Sequence, residues 1–275
     1  MTDALALSLC NPPAAAPLGV FDSGVGGLSI LRALRGRLPD ASMVYVGDVA
    51  CAPYGDRAAH EVIRRSMQIT EWLIEQGAQI IVIACNTATV IAIEALRARW
   101  PACTFIGVEP GVKPAANRSR TRRIAVMATL ATANSARLRH LIARHAADVH
   151  VHVQACPRLA DTIERGVLDG PELLRVLQPH CDAIRAQGVD TVVLGCTHYA
   201  FVEPAIRRLL GDSVMVIDTA PAIAERAASI RNRDPAMPGE PTRLRIVTTR
   251  ASEPMRRLLG QCEGLEGASL ESLEL

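Results

Sequence analysis

Short aliphatic runs recur along the chain. Between them lie longer stretches where apolar residues return every three or four positions. The runs at 19–21, 43–46, 80–84, 104–108, 124–127, 149–154, 192–194, 214–216 and 244–247 read as strands. Amphipathic spacing, as in Leu28, Leu31, Leu34 and Leu38 or in Met67, Trp72 and Ile74, predicts helices between them. Strands alternating with helices imply βαβ units and parallel sheets. Near-continuous apolar strands imply sheets covered by helices on both faces, an α/β fold. Ligands of such sheets bind outside the carboxyl ends of the strands. The segment 107–123 holds two prolines, two glycines and a run of arginines, and reads as a boundary between two domains.

Composition narrows the classes. The chain has 275 residues, 49% of them apolar and only 3% aromatic, so its core is built from Ala, Val, Leu and Ile. A net charge of +2 creates no field that calls for nucleic acid or a membrane surface. The basic run Arg118, Arg120, Arg122 and Arg123 reads as a solvated loop ahead of the strand at Ile124. No apolar run approaches the ~20 residues of a membrane span. Residues 1–17 lack the basic start of a secretory signal and read as a disordered extension of a cytoplasmic protein. In that compartment the eight cysteines are not expected to form disulfides. No C-x-x-C pair suggests structural zinc, and His150, His152 and Cys156 read as the surface face of a strand rather than as metal ligands. Lys113 is the sole lysine and sits in a Pro- and Gly-punctuated stretch, which argues against pyridoxal phosphate.

Two cysteines stand apart. Cys85 ends the run IIVIA and is followed by Asn86 and Thr87; Cys196 ends VVLG and is followed by Thr197 and His198. Most buried cysteines are inert packing, and Cys10, Cys103, Cys156, Cys181 and Cys262 take that reading. A thiol with a pKa near ~8.5 needs a local base or donor to work as thiolate. His198 offers one to Cys196, and Asp22 reaches Cys85 if the first strand neighbours the third. A hydrolase needs one nucleophilic thiol, whereas two thiols from different domains suit inversion of a stereocentre. One removes the α-proton and the other returns a proton to the opposite face. Asn86, Thr87 and Thr197 are placed to stabilise the carbanion-like intermediate. Two further stretches stay ambiguous. In GVFDSGVGGLSIL the glycines after Asp22-Ser23 suit either close approach of an anion or a simple helix cap. In CAPYGDR the Pro-Tyr-Gly turn is either a tight loop with Tyr54 packed inward or a pocket wall offering the Tyr54 hydroxyl.

The motifs GVFDSGVGG, APYG, ACNTA, ATLAT, ACPRLADTIERG and LGCTHY, in that order, resemble glutamate racemase, of the cofactor-independent aspartate/glutamate racemase superfamily. The match runs over nearly the whole chain after residue 17. The resemblance implies two α/β domains, 18–108 plus 218–275 and 109–217, with the active site in the cleft between them. It implies Cys85 and Cys196 as catalytic thiols, with Asp22 assisting Cys85, and His198 and Glu164 assisting Cys196. Substrate would be held by Asp22, Ser23, Pro53, Tyr54, Gly55, Asn86, Thr87, Thr197 and His198, with Thr129 and Thr132 lining the pocket. No cofactor or metal is implied. The D-glutamate product would feed peptidoglycan synthesis, and a homodimer is common in the family. Ala128 and Ala200 depart from its usual glycine and proline, and the segment before Glu164 is more polar than usual. Two rival readings are an amino-acid binding protein without chemistry and a sister racemase acting on aspartate or a hydantoin.

Overall fold

The structure is a computed structural model that describes residues 16–231, 243–265 and 268–275. The expectations for the extension at 1–17 and for Cys10 fall almost wholly outside those residues. Two parallel sheets organise the chain. The first contains β1 (Leu18–Asp22), β2 (Met43–Gly47), β3 (Ile80–Ile83), β4 (Thr104–Gly107), β9 (Leu244–Thr248) and β10 (Leu270–Ser272), in the order β10-β9-β2-β1-β3-β4. The second contains β5 (Arg123–Ala128), β6 (His150–Ala155), β7 (Thr191–Gly195) and β8 (Met215–Ile217), in the order β6-β5-β7-β8. Every pairing is parallel. All nine expected strands are present. β10 escapes the sequence because three half-exposed residues at a sheet edge carry no apolar run.

Alternating side chains on the first sheet feed two cores. Val20, Met43, Tyr45 and Val82 face α1 (Leu28–Arg37) and α10 (Ala220–Arg231). Phe21, Val46, Ile81 and Ile83 face α2 (Ala59–Glu75) and α3 (Asn86–Arg99). The second sheet does the same. Ile124, Val126 and Val193 pack under α4 (Val112–Arg118) and α6 (Ala136–His145). Met127, Val192 and Leu194 pack under α8 (Gly170–Arg185) and α9 (Glu203–Leu210). One apolar cluster is continuous from α1 and α10 to α8 and α9, so the two sheets share a core as well as a cleft.

Each sheet has one point where successive connections leave in opposite directions. From β1 the chain steps to β2 on one side and then crosses to β3 on the other. From β5 it steps to β6 and crosses to β7. Crevices at such points are where α/β sheets hold ligands. Asp22, Ser23 and Cys85 lie at the first crevice; Thr129 and Cys196 lie at the second.

One expectation needs correction and two gain detail. The segment 107–123 runs from the end of β4 in the first sheet to the start of β5 in the second and contains α4, whose Pro114 sits in the first turn, where no intrahelical N–H is required. The arginines of the run are exposed, as expected, and the backbone beneath them is anchored: the Ser119 hydroxyl and the Arg120 and Thr121 N–H groups all donate to Asp190 at 2.6–2.7 Å. Cys156 does not share a surface face with His150. The strand ends at Ala155, so the alternation lapses and the thiol turns into the core, 2% exposed. Among the described residues no helix is long and apolar enough to cross a membrane.

Leu31 is fully buried in α1, whereas Leu130 is 51% exposed. Leu31→Ala is expected to cost about 2–5 kcal/mol in urea denaturation, and Leu130→Ala less than about 0.5 kcal/mol.

Candidate active site

The carboxyl end of β3 delivers Cys85 as the residue that caps α3. Its extended backbone lets the sulfur accept the Ala88 N–H at 3.4 Å, at the positive end of a 14-residue helix. The thiol donates to the Ser23 hydroxyl at 3.7 Å, and Ser23 donates to Asp22 Oδ1 at 3.3 Å. Asp22 therefore reaches Cys85 through Ser23, as the adjacency of β1 and β3 allows. Burial pushes the Cys85 thiol well above its usual range, and the Asp22 charge adds to it; the Ala88 N–H and Ser23 pull the other way.

Asp22 is wholly buried, and burial raises its pKa to about 6 against the opposing pull of His198, the Gly24 N–H and Thr197. Its Oδ1 accepts the Gly24 N–H at 2.8 Å, and its Oδ2 accepts the Thr197 hydroxyl of the other sheet at 3.1 Å.

β7 delivers Cys196, with a short 3-10 turn at Thr197–Val202 behind it. Cys196 Sγ lies 3.8 Å from His198 Nδ1, and His198 Nε2 lies 2.7 Å from Glu164 Oε2. Glu164 closes α7 (Leu159–Glu164). Burial alone lowers the His198 pKa, but its hydrogen bonds to Cys196 and Glu164 outweigh burial and hold it well above the usual histidine range. The sequence-predicted acid is thus in place behind the imidazole, with its Oε1 buried and unpartnered.

The glycine loop after Asp22 follows the first of its two readings, close approach of an acidic group. The anion it receives is the protein's own: the Val25 N–H donates to Glu164 Oε2 at 3.0 Å. A Cβ on Gly24 would overlap the Glu164 carboxyl, and one on Gly26 would overlap His198 and the Thr197 hydroxyl. No side chain of Asp22 or Ser23 caps α1. These glycines let the loop of one sheet lie against the Cys196–His198 segment of the other.

The two thiols open into one cavity. Ser23, Asn86 and Thr87 line it beside Cys85; Thr197 and His198 line it beside Cys196; Pro53, Tyr54, Gly55, Thr129 and Ala160 complete it. Asp22, Glu164 and Thr132 stand behind the lining. The walls touch across the cleft, with Thr87 Oγ1 and Thr129 Oγ1 2.9 Å apart and Thr132 3.2 Å beyond. The enclosed space accommodates about 10 Å³ of water-sized volume, about one water molecule. The lining has no lysine or arginine; beside the two thiols, its polar side chains are hydroxyls, the Asn86 amide and His198. The Asn86 side-chain nitrogen donates to the Val108 carbonyl at 3.2 Å, while its oxygen is buried and unpartnered.

Two departures from expectation stand out. The Tyr54 hydroxyl does not face the cavity; it donates to Asp48 at 2.6 Å, and the ring forms the wall. The inward-packed reading applies; of the other, the pocket wall is present but the hydroxyl is not offered to the cavity. Ala160 was missed because a small apolar residue in the first turn of a helix carries no chemical signal; only its place in ACPRLADTIERG marked it. Ala128 is fully buried at the end of β5, and its carbonyl accepts the Cys156 N–H at 2.8 Å, so an alanine fits there without distortion.

Gly24→Ala is expected to push the Glu164 carboxyl off the loop. The His198 pKa, followed by NMR of its ring, then falls toward the usual ~6.5. Gly36→Ala, with nothing within 4 Å of the added methyl, serves as the control. Asp22 gives a pH signature. Its folded pKa of about 6 exceeds the ordinary 3.8, so the folded state holds this proton more tightly. The associated stability is full below 3.8 and lost as pH rises through about 6. In urea denaturation, wild type is expected to lose stability relative to Asp22→Asn between about pH 4 and 6, with no further relative change above about pH 7.

Comparison with known proteins agrees with this geometry. The family model for Asp/Glu/Hydantoin racemase matches residues 28–227. The glutamate racemase of Ectopseudomonas mendocina is 47% identical over 211 residues, covering 77% of this chain and 80% of that protein. That of Pseudomonas aeruginosa is 44% identical over 245 residues, covering 89% and 92%. Among solved structures, a glutamate racemase from Bacillus anthracis superposes with a TM-score of 0.85 at 28% identity, covering 94% of this chain and 98% of that one. The Escherichia coli glutamate racemase, solved with L-glutamate and the activator UDP-MurNAc-Ala, gives 0.82 at 27% identity, covering 94% and 98%. A chain that carries this family's model over most of its length and its fold over nearly all of it belongs to the Asp/Glu/Hydantoin racemase family and is an amino-acid racemase.

Proposed function

We propose that the protein interconverts L- and D-glutamate without a cofactor, using Cys85 and Cys196 as the two acid/base groups. The observation that carries this reading is that two thiols, each delivered by the switch point of a different sheet, line one small cavity. In one direction the thiolate of one cysteine takes the α-proton as the thiol of the other donates to the opposite face; the reverse direction exchanges the roles. The surroundings of the thiols differ. Cys85 is held as a thiol by burial and the nearby Asp22 charge. Cys196 has the His198 ring 3.8 Å away as its proton partner. Substrate binding eases the hold on Cys85, because the substrate's ammonium offsets the Asp22 charge.

The remaining residues divide by position. Ser23 and Asp22 support Cys85, and His198 with Glu164 supports Cys196. Asn86, with an unpaired buried oxygen, suits the ammonium. Thr87, Thr129 and Thr197 bring hydroxyls to the carboxylates, with Thr132 orienting Thr129 from behind, and the helix start behind Cys85 adds N–H groups and a positive dipole to the developing negative charge. The narrow cavity leaves little room for water, which strengthens each of these interactions. Glutamate enters only if the two walls part at the Thr87–Thr129 contact. We read the two sheets as domains 18–108 plus 218–275 and 109–217, and their cleft as the entry. The names of the relatives support glutamate as substrate, and the biological reading is supply of D-glutamate for peptidoglycan in the cytoplasm.

The test is incubation of dialysed protein with L-glutamate in D₂O, following loss of the α-proton by NMR and of optical activity by circular dichroism. Both signals are expected to decay. Cys85→Ala and Cys196→Ala are each expected to slow the decay by at least about 10²-fold. Full activity in either variant would overturn the two-thiol mechanism. Faster decay with aspartate or a hydantoin would move the substrate to the sister reading.

A further inference from the structure

We propose that Asp48 and Arg65, a buried ion pair outside the cavity, are positioning residues that fix the Pro53–Tyr54–Gly55 wall of the substrate pocket, and that Thr249 completes the pair from the turn after β9. The proposal rests on the racemase reading of the cavity, since it names what holds one of its walls.

The carboxylate of Asp48 is fully subscribed. Oδ2 accepts the Tyr54 hydroxyl at 2.6 Å and Arg65 Nε at 2.8 Å. Oδ1 accepts Arg65 Nη2 at 2.6 Å and the Thr249 hydroxyl at 2.7 Å. The donors come from three places in the chain: the pocket wall, α2 and the turn after β9. Asp48 itself follows β2, and its N–H donates to the Asp22 carbonyl at 3.0 Å, which refers the cluster to the end of β1. Thr249 in turn accepts the Ala50 N–H at 3.0 Å. The side chains of Arg65 and Asp48 are 6% and 0% exposed.

Burying two charges is costly, and a well-packed apolar pair usually serves stability as well or better. What an apolar pair cannot do is aim a phenol. Here the fork of Arg65 orients the carboxylate, and the carboxylate orients Tyr54 through its hydroxyl. Burial and the Asp48 charge push the Tyr54 pKa far up, so the phenol keeps its proton and acts as a donor, not as an acid or base in the reaction. Burial pushes the Asp48 carboxyl up as well, but its bonds to Arg65, Tyr54 and Thr249 outweigh burial and keep it ionised.

The wall's position matters because Gly55 abuts the opposite sheet. A Cβ on Gly55 would lie 3.1 Å from Thr129 Cβ. The Tyr54 ring lines the same cavity as Cys85. A shift of Tyr54 therefore alters both the gap to Thr129 and the space beside the thiol. The network also gives the C-terminal segment a part in the site: Thr249 has no place in the cavity lining, yet it holds one oxygen of the carboxylate whose other oxygen holds the wall.

The experiment compares Tyr54→Phe, Thr249→Val and the double variant with wild type, reading KM, kcat and melting temperature with the amino acid that wild type racemises fastest. Asp48→Asn is avoided, because it leaves Arg65 buried beside a neutral partner and invites unfolding. Each single change removes one hydrogen bond to Asp48, and each is expected to raise KM about three- to tenfold with kcat within about twofold. Acting through one carboxylate, the two effects are expected to be non-additive, the double variant falling short of their product. A fall in melting temperature with KM unchanged would make the cluster merely structural and overturn the proposal. Independent multiplication of the two effects would overturn it as well. Failure of wild type to racemise glutamate would instead strike the substrate reading alone, and the same variants would then be read with the amino acid that is turned over.

Discussion

The site depends on how closely two backbones from different sheets approach. The loop Asp22–Gly27 and the segment Cys196–His198 meet through the Thr197–Asp22 and Val25–Glu164 hydrogen bonds. A Cβ at position 24 or 26 would displace Glu164 or the His198–Thr197 pair from that contact. Remove the approach and Asp22 loses its partner across the cleft, Glu164 loses a donor, and the two thiols no longer face one enclosed space. The fold supplies the two parts separately, each at the point where its parallel sheet changes winding direction.

Charge is arranged with the same economy. The cavity lining contains no lysine or arginine, yet carboxyl groups stand directly behind it at Asp22, Glu164 and Asp48. Each carboxyl meets a donor: Thr197 and backbone N–H for Asp22, His198 and backbone N–H for Glu164, Arg65 for Asp48. Buried carboxylates without such partners would be intolerable. With them, they bias neighbouring protons. Glu164, with Cys196, holds the His198 pKa well above the usual histidine range, while burial raises that of Asp22.

Legibility followed locality. Parallel strands covered on both faces must be apolar throughout, so nine were readable as runs, while β10, short and at an edge, was not. Tyr54 was placed in the pocket wall by its motif, but the direction of its hydroxyl depends on Asp48, six residues away on the strand side of the loop. The Asp48–Arg65 pair left no trace, because two charged residues 17 positions apart on different elements form no periodic pattern. Cys156 was misread because alternation was carried one residue past the end of β6. The anion site at the glycine loop was correctly suspected, but its occupant lies 139 residues downstream.

The sequence by itself determined the parallel α/β class, the two strand-terminal thiols with their polar followers and the motif order that marks the family. These are properties of contiguous residues, imposed by burial and by the need for particular side chains at strand ends. Only the tertiary structure decided that Cys85 and Cys196 share a cavity, that Asp22 reaches Cys85 through Ser23, that Glu164 docks on Val25 and that Thr249 bears on the pocket wall. Each of those is a contact between residues distant in the chain, set by sheet order and by the meeting of two sheets, and no local pattern encodes a distance across a cleft.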